Sequence, residues 1–303
     1  MTASHLFAPR YWFIWLMLGI LRLIIKLPFK WQFRFGRYLG RIIVLFPSKM
    51  RNTTLTNLQL CFPELSAVQR QQLLRKNFES IGIAMIETAL GWWIPDAAIK
   101  DLAHIHGFEH VKAALQRGKG IILCSAHFTS LELAGRLFAQ HLPIAVMYRA
   151  QKNLLLNKIT SEARAKHYKK IIQREDIRGM LRCLKENNAI WYTADIDAGQ
   201  VNSVFVPFFG IKAASITATP RYAKISGAAV IPSFFYRRED GKGYDIVFEP
   251  ALTEFPSDNI EQDVTRINQV IEAAIRKQPD QYIWQYKRFK TRPEGEERFY
   301  NKN

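Results

Sequence analysis

His127 and Glu132 are the side chains of this chain best spaced to do acid–base chemistry. His127 follows an apolar run, 120–126, with the pattern of a buried strand, and precedes an amphipathic run, 131–140, with the pattern of a helix. A histidine at a strand-to-helix turn is held by two rigid elements while its ring can face a cleft. A carboxylate five residues later lies one turn into the helix, within reach of orienting that ring. Such a pair can take a proton from a substrate hydroxyl near neutral pH. The same residues allow a plainer reading. Thr129 and Glu132 have the spacing of a capping box, in which the glutamate reaches back to a backbone donor at the helix start.

The elements around this pair alternate. Strand patterns at 102–106, 120–125, 144–148 and 189–193 are separated by helical patterns at 109–117, 131–140, 154–166 and 178–186, with a short extended piece at 171–172. Further on, 213–226 has a helical pattern and 228–236 a strand pattern. Residues 243–249 form its antiparallel partner across Asp240 and Gly241, and 260–277 is a long amphipathic helix. Upstream, Ser66 and Gln69 make a capping box for a helix over 67–92. This order predicts an α/β fold with a mainly parallel central sheet flanked by helices. Ligands in such sheets bind beyond the carboxyl ends of the strands. His127, the Tyr148–Arg149 pair and Asp195 each follow a predicted strand, so three polar groups converge on one edge.

Several other chemistries are disfavoured. Gly118-Lys119-Gly120 precedes its strand, whereas a phosphate-binding glycine loop follows one. Ser125 and Ser130 flank the histidine without a Gly-x-Ser-x-Gly elbow. Cys61, Cys124 and Cys183 are far apart and form no zinc spacing, which suits reduced core thiols.

Charge and apolarity are both concentrated at the start. The formal net charge is +17, and Arg10, Arg22, Lys26, Lys30, Arg34, Arg37, Arg41, Lys49 and Arg51 all precede the first acid, Glu64. A cationic surface attracts nucleic acid, anionic headgroups or an acidic protein. The run 11–21 is apolar and aromatic, and Pro28 ends its helical pattern. To Leu27 it would span roughly 25 Å as a helix, against about 30 Å for a hydrocarbon core. A second stretch, 31–46, places Arg34, Arg37 and Arg41 at helical spacing among apolar residues. Crossing the bilayer and lying in its interface both remain open; either gives an N-terminal hydrophobic, basic, membrane-anchoring helical segment. No small-residue cleavage site follows, and the basic flank favours the cytoplasmic side. A nucleic-acid partner is not expected, because no recognised binding motif accompanies the charge.

Taken together, the motifs resemble the late acyltransferases of lipid A biosynthesis in Gram-negative bacteria, from about Arg51 to Tyr300. They are Arg51-Asn52, the run Asn57 to Glu64, His-x4-Glu from His127 to Glu132, and Tyr148-Arg149 with Asn153. Next come Trp191 to Asp197, Ser203 to Phe209, and Pro279 to Trp284 leading into Lys287 to Gly295. One departure is Ala213 to Pro220, where relatives often carry a threonine run and a glycine. The resemblance implies acyl transfer from acyl carrier protein to a hydroxyl of a phosphorylated, acylated glucosamine disaccharide. It places this at the cytoplasmic face of the inner membrane, without metal or other cofactor. With the N-terminal reading, the expected division is 1–50, membrane-anchoring or interfacial helices, and 51–303, the acyltransferase domain.

On that footing His127 is the general base and Glu132 orients it. Arg149 and Arg164 are candidates for oxyanion or phosphate contact, beside backbone N–H groups at the start of the following helix, and Asn153 is a further substrate-binding candidate. Asp195, a further substrate-binding candidate, follows a buried strand and needs a partner, for which an arginine is expected. Asp197 suits a turn. Phe205, Phe208 and Phe209 could line an acyl channel or could be plain core. Two alternatives keep the same base: acyl thioester hydrolysis, with water replacing the acceptor, and transfer to another glycolipid or a phospholipid.

Overall fold

The computed structural model describes residues 6–300. The described chain opens with helices α1 (Trp12–Ile24), α2 (Phe29–Ile43), α3 (Lys49–Cys61) and α4 (Ala67–Trp93). An alternating series follows: β1 (Ala103–His106), α5 (Phe108–Gln116), β2 (Ile121–Ser125), α6 (Leu131–Ala139), β3 (Ile144–Tyr148), α7 (Leu154–His167), β4 (Lys170–Gln173), α8 (Ile177–Lys185) and β5 (Ala189–Thr193). The remainder is β6 (Ser203–Phe208), β7 (Ile211–Ile216), α9 (Ala218–Ser226), β8 (Ala229–Arg237), β9 (Tyr244–Phe248) and α10 (Ile260–Lys277).

The main sheet has the order β1-β9-β8-β2-β5-β3-β4. Its pairs are parallel except β8–β9, which is antiparallel as the Asp240–Gly241 turn predicts. The α/β expectation with a mainly parallel sheet holds. β2 is apolar and buried at every position up to Ser125, as a strand covered on both faces must be. Alternate residues feed two cores. Ile122, Cys124, Ile190 and Tyr192 join Met180 and Leu184 of α8 and Ile271 of α10. Ile121, Leu123 and Trp191 join Leu133 and Leu137 of α6 and Ile86 of α4. Cys61, Cys124 and Cys183 are free, buried thiols.

One stretch departs from its sequence pattern. Residues 213–216, read as the start of a helix over 213–226, belong instead to β7, the antiparallel partner of β6 in a separate two-stranded sheet. The two turn residues, Phe209 and Gly210, have φ of 51° and 74°. Both lie in the left-handed region that a tight hairpin demands. Phenylalanine is unusual there, and the Ala-Ala pair in β7 favours a helix locally, so pairing overrides propensity.

The N-terminal helices pack onto the α/β body through α4. α2 crosses α4 at near backbone contact: a Cβ at Gly40 would fall 2.0 Å from the Phe78 carbonyl oxygen, and one at Gly82 2.0 Å from that of Gly36. Ser66 and Gln69 close the α4 capping box as expected. Among the described residues no helix is long and apolar enough to cross a membrane. α1 has 13 residues, about 20 Å of helix. α1 and α2 nevertheless expose Trp12, Phe13, Leu16, Leu23, Trp31 and Tyr38, a large apolar surface for water to cover.

Candidate active site

β2 and β5 are parallel neighbours, with Ser125 opposite Thr193. Each chain continues two residues past that pair, to His127 and to Asp195, so the two side chains leave the sheet at the same level. The Asp195 carboxylate is 2.7 Å from His127 Nδ1 through one oxygen, and its other oxygen accepts the His127 backbone N–H at 2.9 Å and the Tyr282 hydroxyl at 2.9 Å. The Asp195 side chain is 2% exposed and the His127 side chain 40%. A carboxylate against Nδ1 fixes the proton there, which leaves the Nε2 lone pair free. Nε2 stands 3.4 Å from Thr193 Oγ1.

Burial alone would lower the histidine pKa. The Asp195 charge and hydrogen bond outweigh that and hold it above its ordinary 6.5. For Asp195, burial works to raise the pKa, but the His127 charge and the hydrogen bonds from His127 and Tyr282 prevail, and it lies below the usual carboxylate range. The Tyr282 phenol is pushed well above its ordinary pKa, first by burial and then by the Asp195 charge, so it remains a donor.

The segment that carries Tyr282 positions the histidine as well. The Ile283 N–H donates to the His127 carbonyl and the Thr129 N–H to that of Gln281, with Phe128 and Tyr282 forming an antiparallel bridge. Two buried asparagines hold the segment from the helices. Asn77 of α4 donates to the carbonyls of Asp280 and Tyr282, and Asn57 of α3 to those of Trp284 and Tyr286. Under the turn, Thr129 Oγ1 bonds Ser80, which accepts from Arg237; Arg237 makes a bidentate pair with buried Glu87.

Glu132 has another task. Its carboxylate takes Arg164 Nε at 3.0 Å and Nη2 at 2.5 Å, and accepts the Trp92 indole N–H at 3.3 Å. The acid bonded to the ring is therefore Asp195, not Glu132, and the partner of Asp195 is a histidine and a tyrosine, not an arginine. Glu132 forms no capping box either, because α6 begins after Ser130 without a side-chain cap. The spacing argument could see only neighbours in sequence; the strand pairing supplied a closer acid from 68 residues away.

His127 opens into a cavity of about 840 Å³. Leu131, Val146, Trp191, Tyr192 and Ile216 give it apolar walls, and Arg149, Arg164, Arg174 and Arg221 give it cations. Arg149 and Arg164 thus line the cavity with the histidine. Asn153 does not: it is the N-cap of α7, accepting the Leu156 N–H. Phe208 and Phe209 are buried in the core, outside the cavity lining, against Phe62, Trp284 and Phe289. Phe205, on β6, is also outside the cavity lining. The walls come instead from β3, β5 and α9. Asp197 is a loop residue, accepting the Gly199 and Thr291 N–H groups. Among the described residues no cluster of three or more His, Cys, Asp or Glu side chains could hold a metal.

A buried carboxylate, a histidine with a free Nε2 and an apolar cavity edged by arginines suit proton removal from an alcohol on a large, partly anionic, partly apolar substrate. Comparison with known proteins is consistent with this. Residues 2–291 match the bacterial lipid A biosynthesis acyltransferase family. The lipid A biosynthesis lauroyltransferase of Escherichia coli K12 is 38% identical over 294 residues, covering 97% of this chain and 96% of that protein. The palmitoleoyltransferase of the same organism is 34% identical over 96% of this chain and 95% of its own length. The myristoyltransferase is 27% identical over 95% and 90%. With the motifs from Arg51 onward carried on an α/β scaffold and the family matched over nearly its whole length, this chain belongs to the bacterial lipid A biosynthesis acyltransferases.

Proposed function

We propose that this enzyme moves a fatty acyl chain from acyl carrier protein to a hydroxyl of a phosphorylated, acylated lipid A precursor, at the cytoplasmic face of a Gram-negative inner membrane. The observation that carries the mechanism is His127, bonded to buried Asp195 and half-exposed in the large cavity. Nε2 accepts the hydroxyl proton as the acceptor oxygen attacks the thioester carbonyl. Asp195 holds the tautomer and stabilises the imidazolium that forms. The tetrahedral oxyanion collapses, the C–S bond breaks, and the imidazolium returns its proton to the departing thiolate. Ester forms, thioester is consumed, and no covalent enzyme intermediate is needed.

Arg149 and Arg164 are the groups we assign to the oxyanion or to acceptor phosphate. Glu132 holds the Arg164 guanidinium by a two-point contact and so sets its direction. The Thr129 N–H is already committed to Gln281, which takes it out of an oxyanion hole. Membrane association is supported by the exposed aromatics of α1 and α2 beside Arg10, Lys30 and Arg34. These suit an interfacial position, with apolar residues in the acyl boundary and cations at the headgroups.

The test is product mass. Purified enzyme, acylated carrier protein and lipid A precursor should give a precursor heavier by one acyl group. Donor consumption that is equally fast without the precursor would replace transfer by thioester hydrolysis.

A further inference from the structure

Beyond its β3 and β5 floor, the cavity is edged by two unlike groups of helices. One is α7, whose Leu155 packs with Tyr11 and Leu18 around α1, the helix that exposes Trp12, Phe13 and Leu16. The other is formed by α8 and α9, across the sheet. α8 packs into the core that contains Ile190 and Tyr192, whereas Ile24 at the end of α1 packs into the core that contains Trp191. Arg174, Ile177 and Arg221 bring this second group to the cavity.

The outer face of α8 carries Arg178, Arg182 and Lys185, one stripe at i, i+4 and i+7. All three are exposed, and none forms an ion pair among the described residues. Other exposed cations divide: Arg41, Lys158, Lys224, Arg238, Arg276 and Lys277 each have an acid, whereas Arg75, Lys76, Arg117 and Lys119 have none among the described residues. What sets the α8 stripe apart is three unpaired cations on one helix face beside the cavity mouth. Like charges four apart on a helix repel, so the stripe is unfavourable to the isolated chain and favourable to an anionic partner. It carries no exposed aromatic residue of the kind that α1 and α2 offer a bilayer. Ile177, 46% exposed, sits where the stripe meets the cavity.

We infer that Arg178, Arg182 and Lys185 form the docking face for the acidic carrier protein, which feeds its thioester arm past Ile177 into the cavity while the lipid acceptor enters from the α1–α7 side. This rests on the transfer reading above, and deepens it by separating the two substrate entrances.

The experiment is a triple charge reversal, Arg178→Glu, Arg182→Glu and Lys185→Glu, assayed with two donors: acylated carrier protein and a carrier-free acyl-pantetheine. The expected result is a rise of about 10–100-fold in KM for the carrier donor, from lost electrostatic capture, with kcat and the acyl-pantetheine kinetics unchanged. The wild-type carrier KM should rise with salt, and that of the variant should not. An unchanged carrier KM overturns the docking face. So does lost binding to phosphatidylglycerol vesicles with carrier kinetics intact, since that outcome makes α8 a lipid surface. A wild-type enzyme that uses acyl-pantetheine but never the carrier refutes the carrier reading itself, and the docking face with it.

Discussion

Replacing Asp195 by asparagine separates the two acids near the histidine. One carboxylate oxygen faces His127 Nδ1 at 2.7 Å; the other faces two donors, the His127 backbone N–H and the Tyr282 hydroxyl. An amide can enter in two ways. With its NH2 toward Nδ1, every hydrogen bond survives, but the ring must carry its proton on Nε2 and can no longer act as a base. With its NH2 toward the backbone N–H, the tautomer is right, but a buried N–H is orphaned at a cost of about 1–3 kcal/mol. The competent form is then a minor one, by roughly 5–150-fold. Loss of the charged hydrogen bond to the forming imidazolium removes about 1.5–3 kcal/mol more. At 1.36 kcal/mol per decade these combine to a fall of about 10²–10⁴-fold in kcat, within the range of general-base catalysis. Single-turnover transfer with saturating donor and precursor measures it, with a thermal melt to show that the fold is kept.

The pH profile adds a second readout. The base must be neutral, and its pKa is raised by Asp195, so wild-type rate should climb with pH through a midpoint above 6.5. Without the charge that midpoint should move down. Glu132→Gln should instead lower turnover by loosening Arg164 while leaving the midpoint in place. If Asp195→Asn transferred within about threefold of wild type while Glu132→Gln removed the activity and shifted the midpoint, the partner assignment would be wrong.

Tyr282→Phe removes one of three donors to Asp195 and should cost about 1 kcal/mol, near fivefold in kcat, with KM unmoved; a change in KM alone would contradict a positioning role. Gly40→Leu should destabilise by about 1–3 kcal/mol or more, because its Cβ would meet the Phe78 carbonyl, and an unchanged denaturant midpoint would show that α2 is not locked to α4. Trp12→Glu with Leu16→Glu should reduce vesicle binding at least tenfold with little effect on the melt, since both side chains are exposed; full retention in vesicle pelleting would dismiss the interfacial role of α1.

Much of the scaffold was legible because its signals are local. The Ser66–Gln69 box, the apolar strand 120–125 and the amphipathic 260–277 each announce themselves within a few residues. The β6–β7 hairpin did not, since its turn puts a phenylalanine at φ 51° and its second strand contains helix-favouring alanines. The site was half legible. His127, Arg149 and Asp195 were correctly placed beyond strand ends, but which acid meets the ring depends on β2 lying beside β5 in a given register. A clue was present: Ser125-Ala-His and Thr193-Ala-Asp have the same length beyond two strands of equal length. Of the two readings open for Phe208 and Phe209, the structure takes the core one, since an aromatic cluster packs a core as readily as it lines a channel.

The most direct test of the histidine's role is the chemical step in His127→Ala, followed as the first turnover of acyl transfer to the lipid precursor. The expected result is a loss of about 10²–10⁴-fold, or roughly 3–5 kcal/mol of barrier, with the thermal melt retained. Transfer at close to the wild-type rate would contradict an alcohol proton taken by this imidazole.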